Sequence, residues 1–257
     1  MKNISLIVCG AIVMLLGLNS HAQLPYEKDY MYEVGTFGKT GTIKEFVSYM
    51  LAEPEDEVSG PMSEAWNLYL QNKPLPDGAT ILLDEKNGYF RYDMEYVEEF
   101  DAEEATEIFR NTIFVEMVVW NCADGKHKVF AENTGGTVNG VPHDEWEYDG
   151  IIFYLYDKTS HKLVTIPDAM DFEEVSSLTP SKGYEFDGEE WYYANDHVTG
   201  KRLQMNAAEF SQWFEDRPVV ELSLPRTGKN IKATVYSVKG KEEREFVWDG
   251  YRFHLAK

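Results

Sequence analysis

The sequence predicts an α+β protein: two related units in tandem, each a helix laid on an antiparallel sheet, preceded by a helical pair. Three observations carry the prediction. Asp101-x-x-Glu104 leads through Ile108 and Phe109 to Ile113-Phe114-Val115-Glu116, and about 105 residues later Asn206-x-x-Glu209 leads through Trp213 and Phe214 to Pro218-Val219-Val220-Glu221 at the same spacing. Further on, Glu145-Trp146-Glu147-Tyr148-Asp149-Gly150 recurs as Glu245-Phe246-Val247-Trp248-Asp249-Gly250 with the offset shortened by about five residues, which marks an insertion in the first copy. Finally, apolar residues recur with a helical period before Pro74 and with a period of two after Thr80.

The chain begins with Lys2, an apolar stretch from Ile4 to Leu18, and Asn19-Ser20-His21-Ala22, whose last and third-last positions suit signal peptidase. Residues 1–22 are therefore expected to be a signal peptide, with the mature protein exported to the periplasm or the extracellular space. Nothing later reaches the roughly 18 apolar residues of a membrane helix, so a soluble protein with no membrane span is expected. Cys9 lies within the apolar stretch, which leaves Cys122 alone after cleavage. A single cysteine allows no intramolecular disulfide, and stability has to come from burial.

Residues 23–78 read as the helical segment. Thr42-x-x-Glu45 is a capping box ahead of Ile43, Phe46, Val47, Met50 and Leu51, and a second stripe runs through Met62, Trp66, Tyr69 and Leu70 until Pro74 and Pro76 end it. Residues 79–166 form the first α+β unit. Its strands Ile81–Asp84 and Tyr89–Tyr92 flank Asn87-Gly88 as a two-residue hairpin, and Asp101 caps a short helix carrying Ile108 and Phe109. The run from Val115 to Trp120 and that from Lys128 to Phe130 flank Asp124-Gly125; strand Ile151–Tyr156 follows, and Lys162-Leu163-Val164 adds a short edge strand. Residues 167–183, rich in Pro, Ser and acids, read as a linker. The second unit, 184–257, repeats the order through Trp191–Tyr193, the helix capped by Asn206, the strands Val219–Leu224 and Ile231–Val238, and a hairpin through Asp249-Gly250 to Phe253.

Three segments carry a family likeness: Leu83-Asp84-x-x-Asn87-Gly88-Tyr89, Phe153-Tyr154-Leu155-Tyr156-Asp157, and Phe246-x-Trp248-Asp249-Gly250-x-x-Phe253. In these the mature chain resembles uncharacterised exported tandem-repeat proteins of gut-type bacteria, a resemblance that implies no activity. The tandem outline is also similar in architecture to secreted inhibitors of the β-lactamase-inhibitor type.

A formal net charge of −21 repels phosphate backbones, so no nucleic-acid partner is expected. The acidic runs read as solvated surface, with Glu185-x-Asp187-Gly188-Glu189-Glu190 able to hold calcium loosely. No metal-ligand spacing, Gly-rich phosphate loop or nucleophile elbow occurs, so no metal and no cofactor is expected.

Two chemical constellations stand out. A hairpin turn at Asp124-Gly125 sets Cys122 opposite His127 with Cβ atoms roughly 5 Å apart, the geometry of a thiol beside its base. Hairpin tips shield substrate poorly, however, and a small, partly buried cysteine facing a surface histidine is the better account of the pair. Among so many acids, some pair will sit at the roughly 5 to 9 Å separation of a glycosidase by chance alone.

The asymmetry between the copies remains. The stretch Asn133 to Asp144 is longer than its counterpart Lys239 to Arg244 and is rich in small residues, and loops on a rigid scaffold are where binding is built. Asn133, Asn139, His143, Asp144, Trp146 and Tyr148 are the candidate binding residues. The expected function is non-catalytic binding of an extracytoplasmic protein or glycan, inhibitor-like in character. The rival expectation is an envelope-associated hydrolase acting on glycans or peptides.

Overall fold

The computed structural model describes residues 24–27, 31–52, 59–102, 105–139, 141–142, 150–178, 184–197 and 199–257. The expected signal peptide at 1–22 lies outside them.

The N-terminal half runs β1 (Glu33–Thr36), α1 (Ile43–Met50), α2 (Ser59–Leu70), β2 (Ala79–Asp84), β3 (Tyr89–Ala102), β4 (Ala105–Asn121), β5 (His127–Val138) and β6 (Val141–Pro142). It continues with β7 (Gly150–Asp157), β8 (Lys162–Thr165), a 3-10 turn at Pro167–Ala169 and α3 (Phe172–Ser176). A small segment follows, with β9 (Tyr184–Phe186), β10 (Tyr192–Asn195), β11 (Arg202–Met205) and α4 (Ala207–Glu215). The chain closes on β12 (Val219–Ser223), β13 (Ile231–Ser237), β14 (Gly240–Trp248) and β15 (Phe253–Leu255). The named strands pair antiparallel in three sheets: β1-β8-β7-β5-β4-β3-β2 with β6 on β5, β11-β10-β9, and β12-β13-β14-β15.

The large sheet is a middle layer with both faces covered. Successive residues of a strand point to opposite faces, and here both sets are apolar. Phe90, Tyr92, Val115, Met117, Phe130, Tyr154 and Tyr156 pack under α1 and α2 with Phe46, Val47, Met62 and Trp66. Their neighbours Tyr89, Val118, Trp120, Val129, Ala131, Phe153 and Leu155 pack on the other side against Ile231, Ala233, Phe246, Trp248 and Phe253 of the β12–β15 sheet. Ring contacts tie the layers: Phe46 stacks on Phe130 at 4.5 Å, and Trp120 meets Phe253 edge-on at 5.0 Å. The expected capping box starts α1, with Glu45 N–H donating to Thr42 Oγ1 and Thr42 N–H to Glu45 Oε2.

This architecture corrects the expected fold class. Among the described residues, strand outweighs helix by 47% to 18%, and the two segments read as copies do not share a topology. Asn206 does cap a helix, and Trp213 is buried at 8% exposure with its Nε1–H donating to the Asn195 carbonyl. The segment after Asp101, expected to be a helix, is instead strand β4, which pairs with β3 from Tyr89↔Val118 to Ala102↔Ala105. Ile108, placed on that expected helix, is 58% exposed on the strand. The alternation Thr106, Ile108, Arg110, Thr112, Phe114, Glu116, Val118 fits a pleat, and pairing along seventeen residues outweighs a local cap signal. The second expected unit also divides. Residues 184–215 build the small sheet and α4 around Ala194, Met205 and Trp213, whereas β12–β15 has no helix of that unit over it and shares its core with the first half.

Smaller corrections follow from the same pairing. The Asn87-Gly88 turn spans four residues, since Asp84 pairs with Tyr89. Strand β8 is interior because β1 covers it. The expected linker 167–183 enters the core at its start, where Ala169 is fully buried beside Met170, Val175 and Leu178.

Candidate functional site

The structure disperses the residues expected to bind. Asn133 belongs to β5, not a loop; it is 3% exposed, and its Nδ2 donates to the Leu222 carbonyl at 2.8 Å. Asn139 is exposed with φ of 52°, and it exchanges main-chain and side-chain hydrogen bonds with Arg110. It therefore serves a turn at the end of β5. His143, Asp144, Trp146 and Tyr148 lie outside the described residues. The counterpart stretch Lys239 to Arg244 is mostly strand β14.

Cys122 and His127 do sit opposite one another, with Cys122 N–H donating to the His127 carbonyl at 3.1 Å. The histidine ring turns to Asp124, its Nδ1 lying 2.5 Å from Oδ2, while the thiol enters the core between the sheets. Burial, then the nearby Asp124 charge, pushes the Cys122 thiol up to about 12. An activated nucleophile needs the opposite shift. This cysteine packs.

Glu116 is the most buried described acid, on the β4 face that meets the second sheet. Its carboxylate accepts from Tyr89 Oη at 2.8 Å, Arg91 Nη1 at 2.8 Å and the main-chain amide of Leu224 at 2.9 Å, with Asn133 Nδ2 at 3.4 Å. Burial and the Glu116 charge push the Tyr89 hydroxyl upward. The cluster joins the two layers, with Glu116 buried between them and Arg91, which also pairs with Asp93 at 2.6 Å, reaching the surface at 31% side-chain exposure.

An open surface appears instead on the small unit. Directly opposed residues share a sheet face, so the register Tyr192↔Phe186, Ala194↔Tyr184, Tyr192↔Met205 and Ala194↔Leu203 gathers these six side chains on the side where α4 lies. Helix α4 covers β10 and β11 with Trp213 and Phe210 but reaches β9 only at Tyr184. Tyr184 and Phe186 stay 51% and 49% exposed. Tyr192 bridges the covered and bare regions, stacked on Phe210 at 4.0 Å and 11° and touching Phe186 at 4.6 Å. Tyr184 leans on Phe210 at 4.6 Å.

Beside these rings, Phe186, Tyr192, Glu189, Glu190 and the start of α4 at Asn206 to Ala208 line a shallow groove of about 420 Å³. The turn that carries its acids is held by Asp187. Its Oδ1 accepts the main-chain amides of Glu189, Glu190 and Trp191 at 2.9 to 3.0 Å, across a turn in which Gly188 takes φ of 86°. The Glu189 amide first, then that of Trp191, holds the Asp187 carboxyl below the usual carboxylate range. Asp187 is thus committed to the turn, and among the described residues no group of three potential ligands converges on a cation site.

Sequence reasoning missed this ledge although its letters were in view. Tyr184-x-Phe186 and Trp191-Tyr192-Tyr193 bracket Asp187-Gly188 as hairpin strands do, with two aromatics on one face. No helix among the described residues is long and apolar enough to cross a membrane. Comparison with family profiles, curated proteins and solved structures gave no match.

Proposed function

We propose that this is an exported, soluble binding protein without catalytic chemistry, and that the aromatic ledge of Tyr184, Phe186 and Tyr192 is its contact surface for an extracytoplasmic protein or glycan. The observation that carries the reading is the exposure of two large aromatics side by side on a sheet whose own helix covers them only in part. Folding leaves about half of each ring in water, area that a partner would bury, and tyrosine is enriched where binding energy concentrates. A hydrolase would be supported by shifted groups converging in a cleft. The largest upward shifts fall on buried groups, Tyr26, Tyr89, Cys122 and Tyr154, none of which lines the groove.

The test is an array of oligosaccharides and peptides of varied charge, probed with the mature protein and with a Tyr184→Ser/Phe186→Ser variant. The expected result is retention of the parent on some array members and loss of that retention in a variant of unchanged thermal midpoint. Equal retention of both proteins, or none of either, overturns the assignment of the ledge.

A further inference from the structure

We propose that the ledge takes a basic peptide in extended conformation, which adds to the open edge of β9 and lays an arginine or lysine over Phe186 and Tyr192 against Glu189 and Glu190. This deepens, and rests on, the reading of the ledge as the binding surface.

The edge comes first. Among the described residues β9 pairs with β10 alone, and none of them pairs with the other side of its main chain. Asp187 N–H donates inward to the Trp191 carbonyl at 3.1 Å. Inward and outward pairs alternate along an antiparallel ladder. That places the inward bonds next at Glu185 and turns the main-chain polar groups of Tyr184 and Phe186 to the open side. An extended peptide completes such an edge by main-chain hydrogen bonds, and its alternate side chains then fall on the ledge.

Charge selects the peptide. The chain carries a net charge of −21, Glu189 and Glu190 line the groove, and among the described residues no basic side chain lines it. An anionic partner would be repelled, and a neutral sugar would gain nothing from the charge of the two exposed carboxylates. The same small unit shows what its rings accept: Arg202 lies over Tyr193 at 5.4 Å and Arg217 over Phe214 at 3.5 Å. Among the described residues no lysine or arginine of this chain lies over Tyr184, Phe186 or Tyr192. Rings with acids beside them and no cation above them form a seat for an incoming cationic side chain.

The probe is a short end-blocked peptide of alternating arginine and threonine, titrated into the mature protein by calorimetry. Its controls are the same peptide with glutamate for arginine, the same peptide with alternate amides N-methylated, and cellohexaose. Saturable binding of the arginine peptide alone is expected, weakening with added salt. Binding should fall by about tenfold in Phe186→Ala and again in Glu189→Gln/Glu190→Gln, each with unchanged thermal midpoint. Undiminished binding of the N-methylated peptide would overturn strand addition, and undiminished binding to the Gln variant would overturn the charge argument. Binding of cellohexaose but not the peptide, lost in Phe186→Ala, would overturn the peptide while keeping the ledge. Binding of no probe would overturn both.

Discussion

The Glu116 carboxylate accepts the main-chain amide of Leu224 at 2.9 Å, a contact that spans 108 residues of chain and crosses from the middle sheet to the C-terminal one. The same carboxylate holds Tyr89 and Arg91. Burying it is affordable only because every one of these donors is satisfied. Glu116→Ala leaves the Tyr89 hydroxyl and the Leu224 amide without their acceptor between two packed layers, while the Arg91 guanidinium keeps Asp93. The expected loss is roughly 2 to 4 kcal/mol, from two unsatisfied buried donors. Glu116→Gln keeps the shape and part of the acceptor capacity and should cost roughly 1 to 3 kcal/mol. Denaturant midpoints at constant slope measure both, and an alanine variant as stable as the parent would show that the contact does not join the sheets.

Cys122 gives a prediction in alkali. In the folded chain its thiol is pushed up to about 12, while in the unfolded chain it ionises near its ordinary value of about 8.5. A raised folded value means the folded state holds its proton longer. The associated stability is complete below pH about 8.5 and is lost as pH rises from there toward 12. Stability measured by denaturation should therefore decline over that window, and Cys122→Ala should flatten the decline. The native thiol should resist an uncharged alkylating reagent at pH 8 and react once the chain is denatured. Rapid native alkylation would return Cys122 and His127 to consideration as a reactive pair.

How the sequence was legible bears on where the ledge hid. Both expected helices, Ile43–Met50 and Ser59–Leu70, were readable because their apolar stripes agree with the tertiary packing, the first stripe also following a capping box and the second ending before Pro74. At Asp101 the cap motif and the strand pattern disagreed. The stretch through Ile108, Thr112 and Phe114 suits either period locally, and only pairing with β3 and β5 settles it. The apparent duplication failed for the same reason. Similar letters in 101–116 and 206–221 carry opposite burial, Ile108 outside and Trp213 inside, because their neighbours in space differ. The ledge was unreadable because exposure of Phe186 depends on how far a nine-residue helix extends over a sheet. No local pattern encodes that.

Trp213 tests whether the small unit has a core of its own. It is the largest buried side chain of the cluster with Ala194 and Met205, it stacks on His197 at 4.6 Å, and its indole N–H holds the Asn195 carbonyl. Trp213→Ala should cost roughly 3 to 5 kcal/mol through lost burial and an unfilled cavity. A three-stranded sheet with one short helix has little stability to spare, so opening should be local. Amide exchange protection should vanish in Tyr192–Asn195 and Arg202–Met205 and persist in the paired centre of β4 and β5. Uniform loss across all of these strands would mean that the small unit and the sandwich unfold as one.

Asp187 governs where the groove's carboxylates sit, and its protonation gives the last prediction. Its oxygen gathers the amides of Glu189, Glu190 and Trp191, and these bonds, led by that from Glu189, lower its folded pKa. A lowered folded value means the turn's contribution is complete above the unfolded carboxyl value of about 3.9 and is lost as pH falls through the folded one. Amide resonances of Glu189, Glu190 and Trp191 should therefore titrate together, with a midpoint below that of an ordinary aspartate. In Asp187→Ala these three amides should exchange faster with solvent while the global thermal midpoint stays put, because the carboxyl lies at the surface. The variant should also weaken binding of the arginine peptide, since Glu189 and Glu190 remain but lose their fixed positions. Amides that titrate independently, or with a midpoint at or above the ordinary value, would show that the turn is held by its glycine and pairing alone.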